Sequence, residues 1–192
     1  MNRFILGLVI FFGVHCSSLL APAWRNRMIE RLGRGAWQGL YSAISLIGFY
    51  LLVTGYGDAR ASANVLYASP YWFRYIAALL MLPAFTLALA SVLPGRIRVR
   101  TQHPLLMATV LWAIAHLLTN GNVADLLLFG TFLIWSVAVR ISFMRRPARP
   151  IRTFPTSTAN DAIAVVGGLA LYAIFMLWLH ARWFGVAPLL LD

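Results

Sequence analysis

Six apolar stretches, each long enough to cross a membrane, are the feature that most constrains the fold. A helix needs about 20 residues to span about 30 Å of hydrocarbon, and the stretches cover approximately residues 4–23, 37–54, 72–93, 104–122, 125–143 and 161–183. Charged residues make up only 11% of the chain and hydrophobic residues 61%, whereas soluble domains have roughly 25% charged residues. The sequence therefore predicts an all-α, polytopic membrane helical bundle of about six transmembrane helices, in a single domain over residues 1–192.

The basic residues predict the orientation of this bundle. All 16 are arginines, and twelve of them follow the first, third and fifth spans. These are Arg25, Arg27, Arg31, Arg34, Arg96, Arg98, Arg100, Arg140, Arg145, Arg146, Arg149 and Arg152. Because basic loops stay in the cytoplasm, we expect a multi-pass membrane protein with both termini outside, which means the periplasm if the membrane is a bacterial inner membrane. In a soluble protein the net charge of +11 would indicate nucleic-acid binding. Here it flanks apolar spans, so the expected partner is the lipid bilayer and not nucleic acid.

The first span could be mistaken for a secretory signal peptide. Ala21-Pro22-Ala23 resembles a small-residue cleavage site. However, only Arg3 precedes the apolar segment, and four arginines follow it. We therefore expect a retained span. Its Cys16 is the only cysteine, which excludes an intrachain disulfide and a multi-cysteine metal site.

Turn, cap and small residues indicate how the other helices begin, end and pack. A turn-rich loop is predicted from Gly55 to Pro70. Ser157 to Asp161 offers helix N-cap residues for the sixth span. Within that span, the pair Gly167-Gly168 would permit close contact with another helix.

Two of the four histidines fall inside predicted spans. At about 1.5 Å rise per residue, His15 lies roughly 16 Å below the outer face and His116 roughly 10–13 Å below it, on different helices. An unsatisfied polar group in lipid costs several kcal/mol, so each imidazole needs a partner. His103 opens the fourth span at the inner interface, and His180 lies near the outer end of the sixth. We interpret both of these histidines as polar residues at the membrane interface.

His15 and His116 allow two interpretations. They could form interhelical hydrogen bonds, worth about 1 kcal/mol each, or they could ligate a metal centre. Histidine is the usual axial ligand of haem, and a flat macrocycle suits a slot between apolar helices. The helix faces favour haem: the face of His116 also carries Thr109, Trp112, Ala113 and Asn120, and that of His15 carries Leu8, Phe11, Phe12 and Ser18. The five acidic residues all lie away from the middle of the spans, which disfavours zinc or di-iron sites. The residues alone leave both interpretations open. In the haem interpretation, His15 and His116 are the metal ligands, and Trp112 and Asn120 are cofactor-binding neighbours.

The segments Thr101–Asn122 and Ala124–Gly130 resemble the signature of the NnrU family of bacterial membrane proteins. The resemblance rests on His103, Trp112, His116 and the pair Asn120-Gly121, and it covers nearly the whole chain. The family is associated with nitrite and nitric oxide reduction. The resemblance therefore implies a redox-linked role in denitrification, either as an enzyme or as an accessory factor for a nitrite or nitric oxide reductase system.

The NnrU family is itself similar to 15-cis-zeta-carotene isomerase, a haem b membrane enzyme whose ligands include histidines in matching helices. This likeness implies haem b as the cofactor of this chain, with His15 and His116 as its axial pair, and it makes polyene isomerisation an alternative function. The isomerase has a redox-dependent cysteine ligand one helical turn before the later histidine, but the matching residue here is Ala113. Cys16 points in a different direction from His15. This departure argues against a ligand-switch mechanism.

A further resemblance suggests methyl transfer as another alternative. The run from Arg100 through His103-Pro104 is similar to the Arg-His-Pro segment of isoprenylcysteine carboxyl methyltransferases, which seat S-adenosylmethionine there and need acidic residues after the next span. In this chain, residues 143–152 contain arginines and no acid. A cationic cofactor would be repelled by that charge, so the resemblance implies shared architecture more than shared activity.

Overall fold

The computed structural model describes residues 1–145, 155–157 and 159–189. Its helices are α1 (Asn2–Leu20), α2 (Pro22–Leu32), α3 (Arg34–Ser62), α4 (Phe73–Ala90), α5 (Arg96–Thr101), α6 (Pro104–Thr119), α7 (Val123–Met144), α8 (Asn160–Ile174) and α9 (His180–Phe184). A π-helical turn, Phe175–Leu179, joins α8 to α9. Besides helices, the described ranges contain one isolated β-bridge, between Val65 and Asn122. The predicted all-α class is confirmed.

Most of the helices have the length and composition of membrane spans. Within the described residues, five stretches are long and apolar enough to cross a bilayer: α1, α3, α4, α7 and the continuous helix Asn160–Phe184. α6 is also apolar but has only 16 residues, because the chain becomes extended at Asn120. The chain is thus a multi-pass helical membrane protein.

The described chain forms two compact units. The first contains Met1–Leu66 and Asn122–Leu128, and the second contains Tyr67–Gly121 together with the described residues from Phe129 onward. α7 therefore begins in the first unit and continues in the second.

In the first unit, α1 packs antiparallel against α3 through glycines. Phe11 of α1 lies against Gly48 of α3, and Phe4 lies against Gly55. A Cβ atom on Gly48 would lie 2.7 Å from the backbone nitrogen of Phe11, so the two backbones can approach this closely only at glycine. The predicted loop from Gly55 was wrong in its first part, because α3 continues to Ser62. Close packing at Gly55 offsets the roughly 1 kcal/mol that a helical glycine costs.

A short basic helix follows α1 without an intervening loop. Ala21 leaves the helical conformation, with φ −133° and ψ 55°, and Pro22 starts α2 at the position where a missing backbone N–H costs nothing. The residues of α2 are exposed or half-buried. Sequence reasoning treated this segment only as an arginine-rich loop.

In the second unit, α4 packs against α6 and α8. The close helix contact predicted at Gly167-Gly168 is confirmed, because a Cβ atom on Gly168 would lie 2.7 Å from the Cα atom of Thr86 in α4. The predicted N-cap is wrong, because the N-cap residue of α8 is Ala159, whose side chain cannot accept a hydrogen bond. Ser157 accepts a hydrogen bond from the backbone N–H of Ala159 (3.2 Å), but Asp161 caps a different helix.

The carboxylate of Asp161 accepts hydrogen bonds from the backbone N–H groups of Arg96 and Ile97, at 2.9 and 3.0 Å. These donors have no intrahelical partner at the start of α5, and a negative charge there is favoured by the helix dipole. The side chain therefore joins the start of α8 to the start of α5. Most of the predicted basic loop after α7 (Arg146, Pro147, Arg149, Pro150 and Arg152) lies outside the described residues.

Candidate functional site

His15 lies on α1 in the first unit, beside an aromatic groove. Its Nδ1–H donates to the carbonyl oxygen of Phe11, one helical turn earlier, at 2.7 Å. The imidazole stacks on the Phe11 ring, with centroids 4.1 Å apart and planes at 25°, and the Tyr41 ring lies 5.3 Å away. An open groove of about 400 Å³ runs past this imidazole, and Phe49 and Ser45 also line it. A flat apolar ligand could reach the ring from this groove.

His116 lies on α6 in the second unit and is held in the same way. Its Nδ1–H donates to the carbonyl oxygen of Trp112 at 2.8 Å. The ring stacks on Phe129 of α7, with centroids 4.6 Å apart and planes at 27°. Because Nδ1 carries the proton in this arrangement, the lone pair of the neutral ring is on Nε2.

Trp112 and Asn120, the two predicted neighbours, have different positions. The Trp112 ring lies 5.1 Å from His116 and packs edge-on against Phe129 and Phe132. Asn120 is the C-cap residue of α6, and its side-chain amide donates to the carbonyl oxygen of His116 at 2.9 Å. Trp112 therefore contacts the His116 imidazole, whereas Asn120 bonds to the backbone in the last turn of α6. A role of either residue in binding a cofactor stays a prediction.

His103 is the N-cap residue of α6, and its surroundings disfavour protonation. The ring lies 4.9 Å from the Phe143 ring. Burial, and next the positive charges of Arg140 and Arg98, hold the pKa of His103 below its usual range. The interfacial position that the sequence predicts is consistent with these basic neighbours.

His180, treated by sequence reasoning as an interfacial polar residue, lies next to His116. The two ring centroids are 6.4 Å apart, and the Nδ1–H of His180 donates to the carbonyl oxygen of Val186 at 2.7 Å. His15 belongs to the first unit and His116 to the second. The histidine that the second unit brings beside His116 is His180.

A family model described as NnrU protein matches residues 3–188 of the chain. The chain belongs to the NnrU family. No curated protein and no solved structure matches it. The NnrU resemblance seen in the sequence is thus confirmed over nearly the whole chain, while haem binding, isomerisation and methyl transfer stay predictions.

This NnrU chain also contains a buried polar cluster that the sequence interpretation missed. The Asp125 side chain is 2% exposed. It accepts a hydrogen bond from the Tyr56 hydroxyl and forms an ion pair with Arg60, whose Nε lies 3.3 Å away. Asp125 and Asn122 also cap the start of α7 reciprocally, with Asp125 N donating to Asn122 Oδ1 at 2.9 Å. The spacing Asn122-x-x-Asp125 before an apolar run is a capping pattern that could have revealed this role.

Proposed function

We propose that this NnrU protein binds haem b within the inner membrane and has a redox-linked or accessory role in nitrite and nitric oxide reduction. His116 would hold the haem iron through its imidazole. A second histidine would be the other ligand, and the sequence predicts His15 in that role. When bound, haem would supply one-electron chemistry at its iron.

The observation that carries this proposal is the shared anchoring of the two histidines inside apolar helices. In each, Nδ1–H is held by the carbonyl oxygen four residues earlier, at 2.7 Å for His15 and 2.8 Å for His116. Metal-bound histidines almost always donate the second ring N–H in this way, because the bond fixes the tautomer and the ring orientation. Two imidazoles held in this way therefore suit the coordination of haem iron.

Aromatic side chains around both imidazoles support the same ligand. Phe11, Tyr41 and Phe49 line the groove beside His15, and Trp112 and Phe129 lie against His116. Apolar and aromatic walls suit a porphyrin, since most of its surface is apolar.

In the isomerase-like alternative a cysteine would stand where this chain has Ala113. This alanine is fully buried and carries no thiol, so we do not favour that function.

Absorption spectroscopy tests the haem proposal directly. The protein would be purified in detergent from haem-replete cells, as wild type and as His116→Ala, His15→Ala and His103→Ala. We expect a bis-imidazole Soret band in the wild type that His116→Ala abolishes and that His103→Ala, at the membrane interface, retains. His15→Ala tests the partner that the sequence predicts. A colourless wild-type preparation would reject the proposal.

The denitrification role needs a separate measurement. Membranes that contain a nitric oxide or nitrite reductase would be assayed with and without this protein, and with the His116→Ala variant. If the protein acts as an accessory factor, reductase activity should fall when His116 is replaced. If the purified protein alone reduces nitrite or nitric oxide, it is an enzyme. Activity that is identical in all membranes, together with an inactive purified protein, would exclude both roles.

A further inference from the structure

His116 and His180 lie side by side in the second unit, although they come from helices far apart in sequence. Their ring centroids are 6.4 Å apart and their planes are inclined by 31°. Phe129 stacks on His116, and the ring of Phe184 lies 5.1 Å from His180. The pair of imidazoles is thus bordered by aromatic rings.

Both imidazoles are anchored to the backbone through the same nitrogen. The Nδ1–H of His116 donates to Trp112 at 2.8 Å, and that of His180 donates to Val186 at 2.7 Å. The second bond forms because Gly185, with φ 70°, reverses the chain after α9 and brings the Val186 carbonyl back to the ring. With Nδ1 protonated, each neutral ring has its lone pair on Nε2, which is how histidine ligands are held by a carbonyl behind them.

The π-helical turn Phe175–Leu179 brings His180 into this position. In an uninterrupted α-helix, residues 11 apart lie on nearly the same face, so Leu179 would share the face of Gly168, which packs on α4. A π turn contains one extra residue and rotates the rest of the helix by about 100°. His180 therefore lies on the helix face of Gly168 that Leu179 would otherwise occupy. π turns are rare and are frequently found at functional sites.

We infer that His116 and His180 are the two imidazole ligands of one transition-metal centre. Two metal–nitrogen bonds of about 2.0–2.1 Å hold the bonded nitrogens at most about 4 Å apart. Ring centroids lie further out than those nitrogens, so a separation of 6.4 Å fits a shared metal. For haem iron the inference rests on the proposed function, and it makes His180, in place of His15, the axial partner of His116.

Asparagine is the sharpest substitution, because it keeps the backbone anchor and removes Nε2. Asn120 already shows this geometry in α6, where its amide donates to the carbonyl four residues earlier at 2.9 Å. The variants are His116→Asn, His180→Asn and His15→Asn, with His103→Asn as the control. Circular dichroism and size-exclusion chromatography would show that each variant is folded.

The first measurement is the absorption and electron paramagnetic resonance (EPR) spectrum of the ferric protein in detergent. We expect a low-spin, bis-imidazole signal in the wild type, in His15→Asn and in His103→Asn. His180→Asn should become high-spin and retain haem less tightly, and His116→Asn should lose haem. If His180→Asn keeps the wild-type signal while His15→Asn changes it, the inference is overturned and the haem proposal stands with His15 as partner.

A second measurement separates failure of the inference from failure of the haem proposal. If the wild type contains no haem, it would be titrated with Cu²⁺ and examined by EPR. Hyperfine splitting from two imidazole nitrogens in the Cu²⁺ spectrum would support the pair as a metal site without haem. Both His116→Asn and His180→Asn should then remove this splitting, whereas His15→Asn and His103→Asn should retain it. Equal Cu²⁺ binding by all four variants would overturn the inference.

A deletion tests the π turn itself. Removing the exposed Leu177 restores α-helical register and rotates His180 away by about 100°, whereas Leu177→Ala keeps the register. The deletion should reproduce the spectrum of His180→Asn, and the substitution should leave the wild-type spectrum. A deletion variant that is folded and spectrally unchanged would contradict the inference.

Discussion

Asp125 illustrates how one buried residue can stabilise the first unit. Its side chain is 2% exposed, and the carboxylate is shared by Tyr56, Arg60 and the start of α7. Removing one partner of a buried ion pair typically costs about 3–5 kcal/mol. The Arg60 side chain is 42% exposed, so water screens part of that interaction and the effect of losing Arg60 should be smaller.

We therefore predict that Asp125→Ala lowers the free energy of unfolding in detergent by about 3 kcal/mol, and that Arg60→Ala lowers it less. Asp125→Asn keeps an oxygen for the cap at Asn122 and should lie between them. Reversible unfolding followed by circular dichroism measures all three variants. Equal losses for Arg60→Ala and Asp125→Ala would mean that the ion pair dominates over the cap and the Tyr56 hydrogen bond.

His103 should make stability depend on pH. Its pKa is lowered by burial and by Arg140 and Arg98, so the unfolded chain binds a proton before the folded chain as the pH falls. The stabilisation is therefore complete above about pH 6.5 and is lost as the pH falls from there towards the folded-state pKa. We predict that the wild-type unfolding temperature falls more between about pH 7.5 and 5 than that of His103→Gln. If the unfolding temperatures of the two proteins fall equally over this pH range, His103 is not the source of the pH dependence.

At the scale of elements, the junction between α5 and α6 is strained at Gln102. This residue has φ 60° and ψ −46°, and the N–H of His103 donates to Thr101 two residues earlier at 2.7 Å, which closes a tight γ-turn. Residues with a side chain rarely adopt positive φ, at a cost of roughly 1–2 kcal/mol, whereas glycine does so freely. Gln102→Gly should therefore raise the unfolding temperature. Gln102→Val should lower it, and an unchanged temperature in both would show that the turn carries no strain.

Two glycines of α3 provide a matched pair for testing how α1 and α3 pack. A Cβ atom on Gly48 would lie 2.7 Å from the Phe11 backbone, whereas one on Gly39 would meet nothing within 4 Å. Gly48→Ala should therefore separate the helices and destabilise the protein. Gly39→Ala should stabilise it by roughly 0.5–1 kcal/mol, because alanine is the better helix former. The comparison uses thermal unfolding in detergent, and similar shifts for both variants would rule out close packing at Gly48.

The elements that sequence reasoning found are those with a periodic or charge signal. The spans follow from hydropathy, and the packing of Gly167-Gly168 follows from residue size. The extension of α3 beyond Gly55 was missed, because turn-forming residues there are overridden by packing on Phe4. The contact of His180 with His116 was missed because a π turn shifts helical register without any signature in the sequence.

At the scale of the whole molecule, α6 decides the topology. Its 16 residues extend about 24 Å, less than the roughly 30 Å of the hydrocarbon core. A short helix can still cross where the bilayer thins around it. Arginines 96, 98 and 100 precede α6, and Arg145 follows α7. The tendency of basic loops to stay in the cytoplasm therefore predicts that both ends of this helical pair lie on the cytoplasmic side. Both ends of α6 and α7 taken together can lie in the cytoplasm only if α6 crosses the membrane as α7 does.

If α6 crosses, six spans would place both chain termini on the same side, which the arginines predict to be the periplasm, whereas five would separate them. We predict that alkaline phosphatase fused after Asp192 is active and that a fluorescent protein fused there is dark, since each reporter works on only one side of the membrane. Fusions after Met144 should give the opposite pattern, because the arginines there hold that end of α7 in the cytoplasm. A fluorescent, phosphatase-negative C-terminus would mean that α6 does not cross, and His116 would then lie at the interface and not within the hydrocarbon.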